Sequence, residues 1–443
     1  MDNKDYLTEF HSDLTVAVER EISRQREKML WGETDLSRAI FNYEWYRHLR
    51  LREEYRERRK SGRSGGLEEL RIDFKADGAG HEEAVRADAA AHPWRRAIEG
   101  VGGRVLIFAD NMRHLEYLKP LTEALTERGN RTVVLTRSAI MPEMKGHGAL
   151  TVIKYRHIMS RAALTSGLLE RYNELALFAH TLYCMTQWMR PSVMVCCDGC
   201  QTQYQMAALY CGSLGIPSVC MQFGWPGYIH AGFSKVPYSD FLTWGDRFGE
   251  IMGRHSEATR FRSTGRLGEA DGSGSHSKIT FFMQAPVFVS TEEYRREFAE
   301  LILATADRLS DKVIAVRAHP EYEDGKFMKE IMRRSNITAD RNATAGESLR
   351  ESVAGVSHFS SCLAEAPLYG CEPVVFNPTS RFRYELCDDE HTGKDAESCL
   401  KIIERTARGE NGRRAANHIE VWGAEATERA MEALNILNPA IKK

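Results

Sequence analysis

From residue 104 onward, short apolar runs alternate with longer stretches whose apolar positions recur every three to four residues. Runs such as Val133-Val134-Leu135 and Val193-Met194-Val195-Cys196-Cys197 are continuous, the pattern of strands covered on both faces. The pattern predicts strands at 104–110, 132–136, 150–155, 192–197, 218–222 and 240–244, and helices at 114–128, 162–189 and 203–214. Residues 264–277 are rich in Gly and Ser, carry no apolar run and read as a linker. A second series follows, with strands at 278–283, 313–317, 353–359 and 373–376 and helices at 291–309, 326–335, 361–369, 396–408 and 413–437. Strands alternating with helices predict the α/β class: two doubly wound, Rossmann-like domains at 99–263 and 278–443, facing each other across a cleft.

Residues 1–98 read as a helical extension. Residues 14–60 carry a helical pattern that from Glu44 becomes dense in basic and aromatic residues, among them Trp45, Tyr46, Arg50, Tyr55, Arg58 and Lys60. A basic aromatic helix suits an anionic membrane surface or a partner. Glu53, Glu54 and Glu57 interleave with the arginines, which equally suits a solvated charged helix.

Composition narrows the class. The chain has 443 residues, 42% hydrophobic and 28% charged, with a formal net charge of -2, enough for two cores and no general attraction to nucleic acid. No apolar stretch approaches the ~20 residues that span a bilayer, and the first residues lack a secretory pattern. The 10 cysteines lie mostly in apolar strand or helix patterns, which points to the cytoplasm and to buried thiols, the Cys197–Cys200 pair included.

Candidate chemistry collects at strand ends. One strand runs into Val316-Arg317-Ala318-His319-Pro320, and another into Phe359-Ser360-Ser361 at a helix start. Hydroxyls and free N–H groups at a helix start favour an anion, and an imidazole on the neighbouring strand adds a hydrogen bond or a proton, so a phosphate is the common explanation. Asp198, after a buried strand and before Gly199, suits a general base that takes a proton from an acceptor hydroxyl. Asp110, His114 and Glu116, after the first strand of the first domain, are its rivals. The aromatic loop Trp225–His230 suits stacking on a sugar, and Arg381 and Arg383 suit an acidic or phosphorylated one. No Asp-x-Asp triad or His/Cys ligand spacing is present, so a metal-independent reaction without a cofactor is the expectation.

These motifs, together with Ile216–Gly224 leading into Leu242-Thr243-Trp244-Gly245, resemble the GT-B glycosyltransferases of bacterial surface polysaccharide synthesis. The likeness is to the sialyl- and Kdo-transferase groups with an HP motif and a serine-pair motif, and it covers roughly residues 100–380. It implies a CMP-sugar donor, with His319, Ser360 and Ser361 at the phosphate, Pro320 shaping the turn toward the base, and Gln284, Arg317 and Glu365 as further donor contacts. On the acceptor side it implies Asp198 as base, with Gly199, Gln222 and Trp225 beside it. A glycan or glycolipid acceptor, cytoplasmic work at the inner face of the membrane and an inverting transfer follow from the same resemblance. Related glycerophosphotransferases show His-Gly where this chain has Phe223-Gly224. UDP-sugar 2-epimerases show Ser-Gly-Gly where it has Ser360-Ser361-Cys362. A UDP-sugar enzyme, a CDP-polyol phosphotransferase and a non-catalytic assembly scaffold are the alternatives.

Overall fold

The computed structural model describes residues 6–31, 34–61, 67–72, 104–136, 150–154, 189–227, 229–270, 274–284, 292–319, 325–378, 383–410 and 413–442. Two compact units emerge: Phe10–Phe223 with Ile229–Gly268 and Val421–Lys443 form the first, and Met1–Glu9 with Gly224–Tyr228 and Glu269–Glu420 form the second. Of the expected helix at 162–189, all but the last residue lies outside the described residues, as do Pro320 and Arg381.

The N-terminal stretch is not one helix but three: α1 (Tyr6–Arg24), α2 (Ser37–His48) and α3 (Arg52–Lys60). Between the first two, Leu30–Trp31 and Thr34–Asp35 form a small antiparallel ribbon. Asp35 Oδ1 then accepts the Ser37 N–H at 2.9 Å and opens α2. The aromatic residues point inward. Trp45 is buried and donates to Thr15 Oγ1 at 3.1 Å, while the buried Tyr55 donates to Asp13 Oδ2 at 2.7 Å. The cations stay outside beside carboxylates, Arg58 at 2.6 Å from Glu54 and Lys60 at 3.3 Å from Glu57. This stretch is therefore a solvated face over a packed aromatic one. Arg38 and Asn42 of α2 also donate to the carbonyls of Ala231 and Cys200, so α2 is built into the first unit instead of standing apart as an extension.

The first unit holds a seven-stranded parallel sheet. In chain order its strands are β1 (Val105–Phe108), β2 (Thr132–Thr136), β3 (Leu150–Lys154), β4 (Val193–Cys197), β5 (Ser218–Met221), β6 (Asp240–Thr243) and β7 (Arg260–Ser263). In space they run β3-β2-β1-β4-β5-β6-β7. Described helices of this unit include α4 (Met112–Glu127), α5 (Thr202–Ser213) and α6 (Asp246–Gly253). Leu115, Leu118, Leu121 and Leu125 recur on one face of α4 and pack over Val105, Ile107 and Val195.

The second unit holds a six-stranded parallel sheet: β8 (Lys278–Phe282), β9 (Val313–Arg317), β10 (Ile337–Ala339), β11 (Ser352–Ser357), β12 (Glu372–Phe376) and β13 (Thr392–Gly393), in the order β10-β9-β8-β11-β12-β13. Its described helices are α7 (Glu292–Arg308), α8 (Gly325–Ile331), α9 (Ala345–Arg350), α10 (Ser361–Glu365) and α11 (Ala396–Ala407). Phe298, Leu301 and Ile302 of α7 and Leu400 and Ile403 of α11 complete its core with Ile279, Val316 and Val356.

The chain end departs from the predicted division. Only Gly423–Leu437 of the expected helix 413–437 is helical (α12), and it belongs to the first unit. Its Ala430, Met431 and Leu434 are buried in the same core as Leu115 and Leu118. Arg266 N–H donates to the Val421 carbonyl at 2.9 Å, and Asn130 exchanges two hydrogen bonds with the Lys442 backbone at 3.0 and 2.8 Å. Leu267, inside the expected linker, is fully buried in this core, so apolar contact begins before the Gly/Ser stretch ends. Leu434→Ala should lower stability by about 2–5 kcal/mol, the usual cost of a buried leucine. Chemical denaturation checks this, and an unchanged midpoint and slope would mean that α12 is not part of that core.

Candidate functional site

In both sheets the first and fourth strands lie side by side while their connections wind in opposite directions. Such a reversal opens a crevice outside the carboxyl ends of the two strands, the usual ligand position in doubly wound sheets. In the first unit those ends carry Asp110, after β1, and Asp198, after β4.

Asp198 and Gly199 have φ values of 73° and 55°, two successive left-handed residues that turn the chain sharply out of β4. Asp tolerates that region better than most side chains. Glycine is required next, because a Cβ on Gly199 would fall 2.6 Å from Phe241 Cε2. The Gly199 carbonyl accepts from Gln205 Nε2 at 3.1 Å and Tyr238 Oη at 3.0 Å, and Gln201 Nε2 donates to Asp198 Oδ2 at 2.8 Å. The strained turn is thus held from several sides, with the carboxylate partly exposed.

Opposite, Asn111 caps α4 by accepting the His114 backbone N–H at 3.0 Å. Tyr204 Oη accepts the Asp110 backbone N–H at 2.7 Å and lies 2.6 Å from His114 Nδ1. His114 Nε2 stands 3.8 Å from Asp198 Oδ2, and Asp110 Oδ2 accepts from Gln203 Nε2 at 2.8 Å. Burial, and then the Arg113 charge, lower the His114 pKa to about 4, so its ring is neutral near pH 7. Burial pushes the Tyr204 phenol well above its usual range.

The structure thus gathers Asp110, His114, Asp198 and Gly199 at one switch point. Glu116 lies on the exposed side of α4, outside these contacts. Gln222 is buried: its Oε1 accepts the Trp244 N–H at 3.0 Å, and its carbonyl accepts Trp244 Nε1 at 2.9 Å and Tyr117 Oη at 2.5 Å. It splices the ends of β5 and β6. Sequence reasoning missed Gln201, Gln203 and Tyr204. Their signal was a polar run, Gln201 to Gln205, opening a helix directly behind a buried strand.

In the second unit the switch point lies between β8 and β11, whose following residues include Gln284 and the Ser360–Ser361 pair. Ser357 Oγ donates to the Phe282 carbonyl at 2.7 Å and laces the two strands there. Ser360 is the N-cap of α10: its hydroxyl accepts the Cys362 N–H at 3.2 Å, and Tyr384 Oη donates to its carbonyl at 3.1 Å. Glu365 ends α10, partly buried, and its charge adds to the burial that pushes the Cys362 thiol up to about 12. His358, buried just before the pair, stacks on Tyr294 at 4.3 Å and contacts the Phe359 ring at 3.9 Å.

Two expectations change here. His319 follows β9, and β8 lies between β9 and β11, so the imidazole strand is not the neighbour of the serine strand. At ~4.8 Å per strand the two ends are roughly 10 Å apart, with Gln284 on the strand between them. Arg317 points its guanidinium inward. It donates to Asp340 Oδ2 at 3.0 Å, the Asn342 carbonyl at 2.9 Å and Ser348 Oγ at 3.1 Å, holding the turn after β10.

The aromatic loop divides. Gly224 to Tyr228 belongs to the second unit, where Gly224 lies close to Ser361 and a Cβ on Gly227 would collide with Phe359 Cβ. Trp225 is buried and belongs to that unit, whereas the acceptor reading supposed the first. His230 belongs to the first unit, stacked on Trp45 at 5.6 Å and 6°, with its Nδ1 accepting the Gly232 N–H at 3.1 Å. Arg383 is exposed.

No family model matches this chain, and no curated protein matches it. Solved structures do. A putative UDP-N-acetylglucosamine 2-epimerase from Listeria monocytogenes is similar at 12% identity and a TM-score of 0.54, over 77% of this chain and 98% of that one. MnaA of S. aureus, solved with UDP, gives 12% and 0.52 over 77% and 98%. The UDP-GlcNAc 2-epimerase of Neisseria meningitidis, bound to UDP-GlcNAc, gives 12% and 0.52 over 75% and 99%. The shared fold is GT-B, with two Rossmann-like domains.

Asp340 gives the Arg317 contact a test. Burial raises its pKa, but the Ser348 hydroxyl, Arg317 and Lys278 outweigh that and hold it below the ordinary carboxylate value. A depressed folded-state pKa contributes stability above the unfolded value, about 3.9, and that stability fades as pH falls through the folded value. Arg317→Ala should cost about 3 kcal/mol at pH 7, and the difference from wild type should shrink below pH 4. Thermal unfolding at both pH values measures it; a loss independent of pH would contradict the pairing.

Proposed function

We propose that this protein is a nucleotide-sugar-dependent glycosyltransferase that moves an acidic sugar of the Kdo or sialic-acid type from a CMP-linked donor to a glycan hydroxyl, with inversion and without a metal. The observation that carries the reading is the coincidence of chemistry with topology. Asp110, His114 and Asp198 flank the switch point of one sheet, and Gln284 and the Ser360–Ser361 pair flank that of the other. Support also comes from the fold, shared with proteins solved with UDP and with UDP-GlcNAc.

In this reaction the acceptor hydroxyl attacks the anomeric carbon, the carbon–oxygen bond to the phosphate breaks, and CMP departs with the bonding electrons. Asp198 takes the hydroxyl proton. Ser360 and Ser361 serve the departing phosphate, and His319, separated from the pair by β8, reaches it across the end of that strand, with Gln284, Pro320 and Glu365 around the nucleoside and sugar. The acceptor is a glycan or glycolipid, and the work is cytoplasmic, at the inner face of the membrane.

A second reading has a specific observation behind it: the compared structures are UDP-GlcNAc 2-epimerases. Under it the same site holds UDP. Thermal shift with CMP, CDP, UMP and UDP separates the two, and the proposal predicts that CMP stabilises most. Stabilisation by UDP alone would favour the epimerase reading. His319→Ala should lower turnover on the order of a hundredfold. Asp198→Asn should lower it by roughly a hundredfold to ten-thousandfold while leaving the CMP thermal shift intact. An Asp198→Asn protein with full turnover would remove the base assignment.

A further inference from the structure

We infer that Tyr204 is a positioning residue that fixes His114 as its Nε2–H tautomer, so that the first unit offers an acceptor hydroxyl one N–H donor, from His114, beside one proton-accepting carboxylate, from Asp198. The inference rests on the reading of this switch point as the acceptor site.

Proton accounting carries it. A phenol has one proton to give. Tyr204 Oη already accepts from the Asp110 backbone, whose N–H can only donate. Its remaining contact, at 2.6 Å, is His114 Nδ1, and no other hydrogen-bond partner of this oxygen is found among the described residues. If Nδ1 carried the proton, the oxygen would receive two N–H donors and the phenol proton would be stranded in a fully buried position. The arrangement that satisfies every group has Tyr204 donating to Nδ1 at 2.6 Å, and the Asn111 amide nitrogen, which can only donate, points to the same ring nitrogen from 3.2 Å. The imidazole proton then sits on Nε2.

That N–H faces Asp198 without bonding to it. The 3.8 Å from Nε2 to Oδ2 exceeds a hydrogen bond, yet an oxygen placed about 2.8 Å from each atom joins both. A hydroxyl there accepts from His114 and gives its proton to Asp198. The ring is held for this role by Phe223, edge-on at 4.8 Å, and by Tyr204. Charged and titratable groups around it are Arg113 and Asp110 on its own turn, Tyr204 on α5 and Asp198 after β4; burial leaves the ring neutral at pH 7. His114 is thereby a hydrogen-bond donor to the substrate rather than a second base.

The test is nitrogen-15 NMR of the full chain labelled at histidine, without ligand, at pH 7, with His114 assigned by the signals lost in His114→Gln. Wild type should show a protonated Nε2 and an unprotonated Nδ1. Tyr204→Phe keeps the aromatic volume and removes the phenol proton, leaving only the longer Asn111 amide contact at 3.2 Å on Nδ1, so His114 should move from one tautomer to a mixture. A wild-type ring protonated at Nδ1 or at both nitrogens overturns the inference, as does an unchanged tautomer in Tyr204→Phe. If Tyr204→Phe does not fold, the wild-type spectrum alone decides. Because the spectrum is read on unliganded protein, its failure is distinguishable from failure of the donor reading, which the nucleotide series tests.

Discussion

The reversal of winding between the first and fourth strands of each sheet is the constraint on which the rest depends. Neighbouring parallel strands whose crossovers leave in opposite directions cannot both be covered at their carboxyl ends by their own connections. The chain therefore brings two short segments together there, and their composition decides what the crevice holds. In the first unit the segments are Ala109-Asp110-Asn111 and Asp198-Gly199-Cys200; in the second they are Met283-Gln284 and His358 to Ser361. Few of these are residues a packing argument alone would place at a buried strand end.

The two switch points are built differently. That of the first unit rests on backbone strain offset by side-chain hydrogen bonds: Asp198 and Gly199 occupy the left-handed region, held by Gln201, Gln205 and Tyr238. A strained conformation of about 1–3 kcal/mol persists only where its surroundings over-determine it. That of the second unit rests on a helix start, with Ser357 and Tyr384 fixing the backbone on either side of Ser360. One presents a carboxylate and a neutral imidazole, the other hydroxyls, a division suited to proton removal and to anion binding.

Much of the fold was legible in local pattern. The interior strands read as continuous apolar runs, and 313–317 agrees with β9 to the residue. Of the four edge strands only β3, expected at 150–155, read; β7, β10 and β13 did not. β7 is Arg260-Phe261-Arg262-Ser263, polar because its arginines reach the buried Asp240, and β10 is only three residues long. The helix expected at 413–437 failed in its first part, where the Ala415 N–H donates to the Glu372 carboxylate and the Val421 carbonyl accepts from the Arg266 N–H. Site residues at strand ends were legible because strand ends are. Their neighbours were not: strand order is a long-range property, so nothing local showed that β8 separates His319 from Ser360, or that Tyr204 closes on His114. The inward course of Arg317 toward Asp340 was hidden for the same reason.

Hydrogen–deuterium exchange with and without saturating CMP tests the central claim most directly. The account predicts slowed exchange in the segments that follow β8 and β11, around Gln284 and from Phe359 to Glu365, while the segments after β10 and β12 stay unchanged. Protection that avoids the β8–β11 switch point, or that concentrates at the outer edge of the sheet, would contradict it.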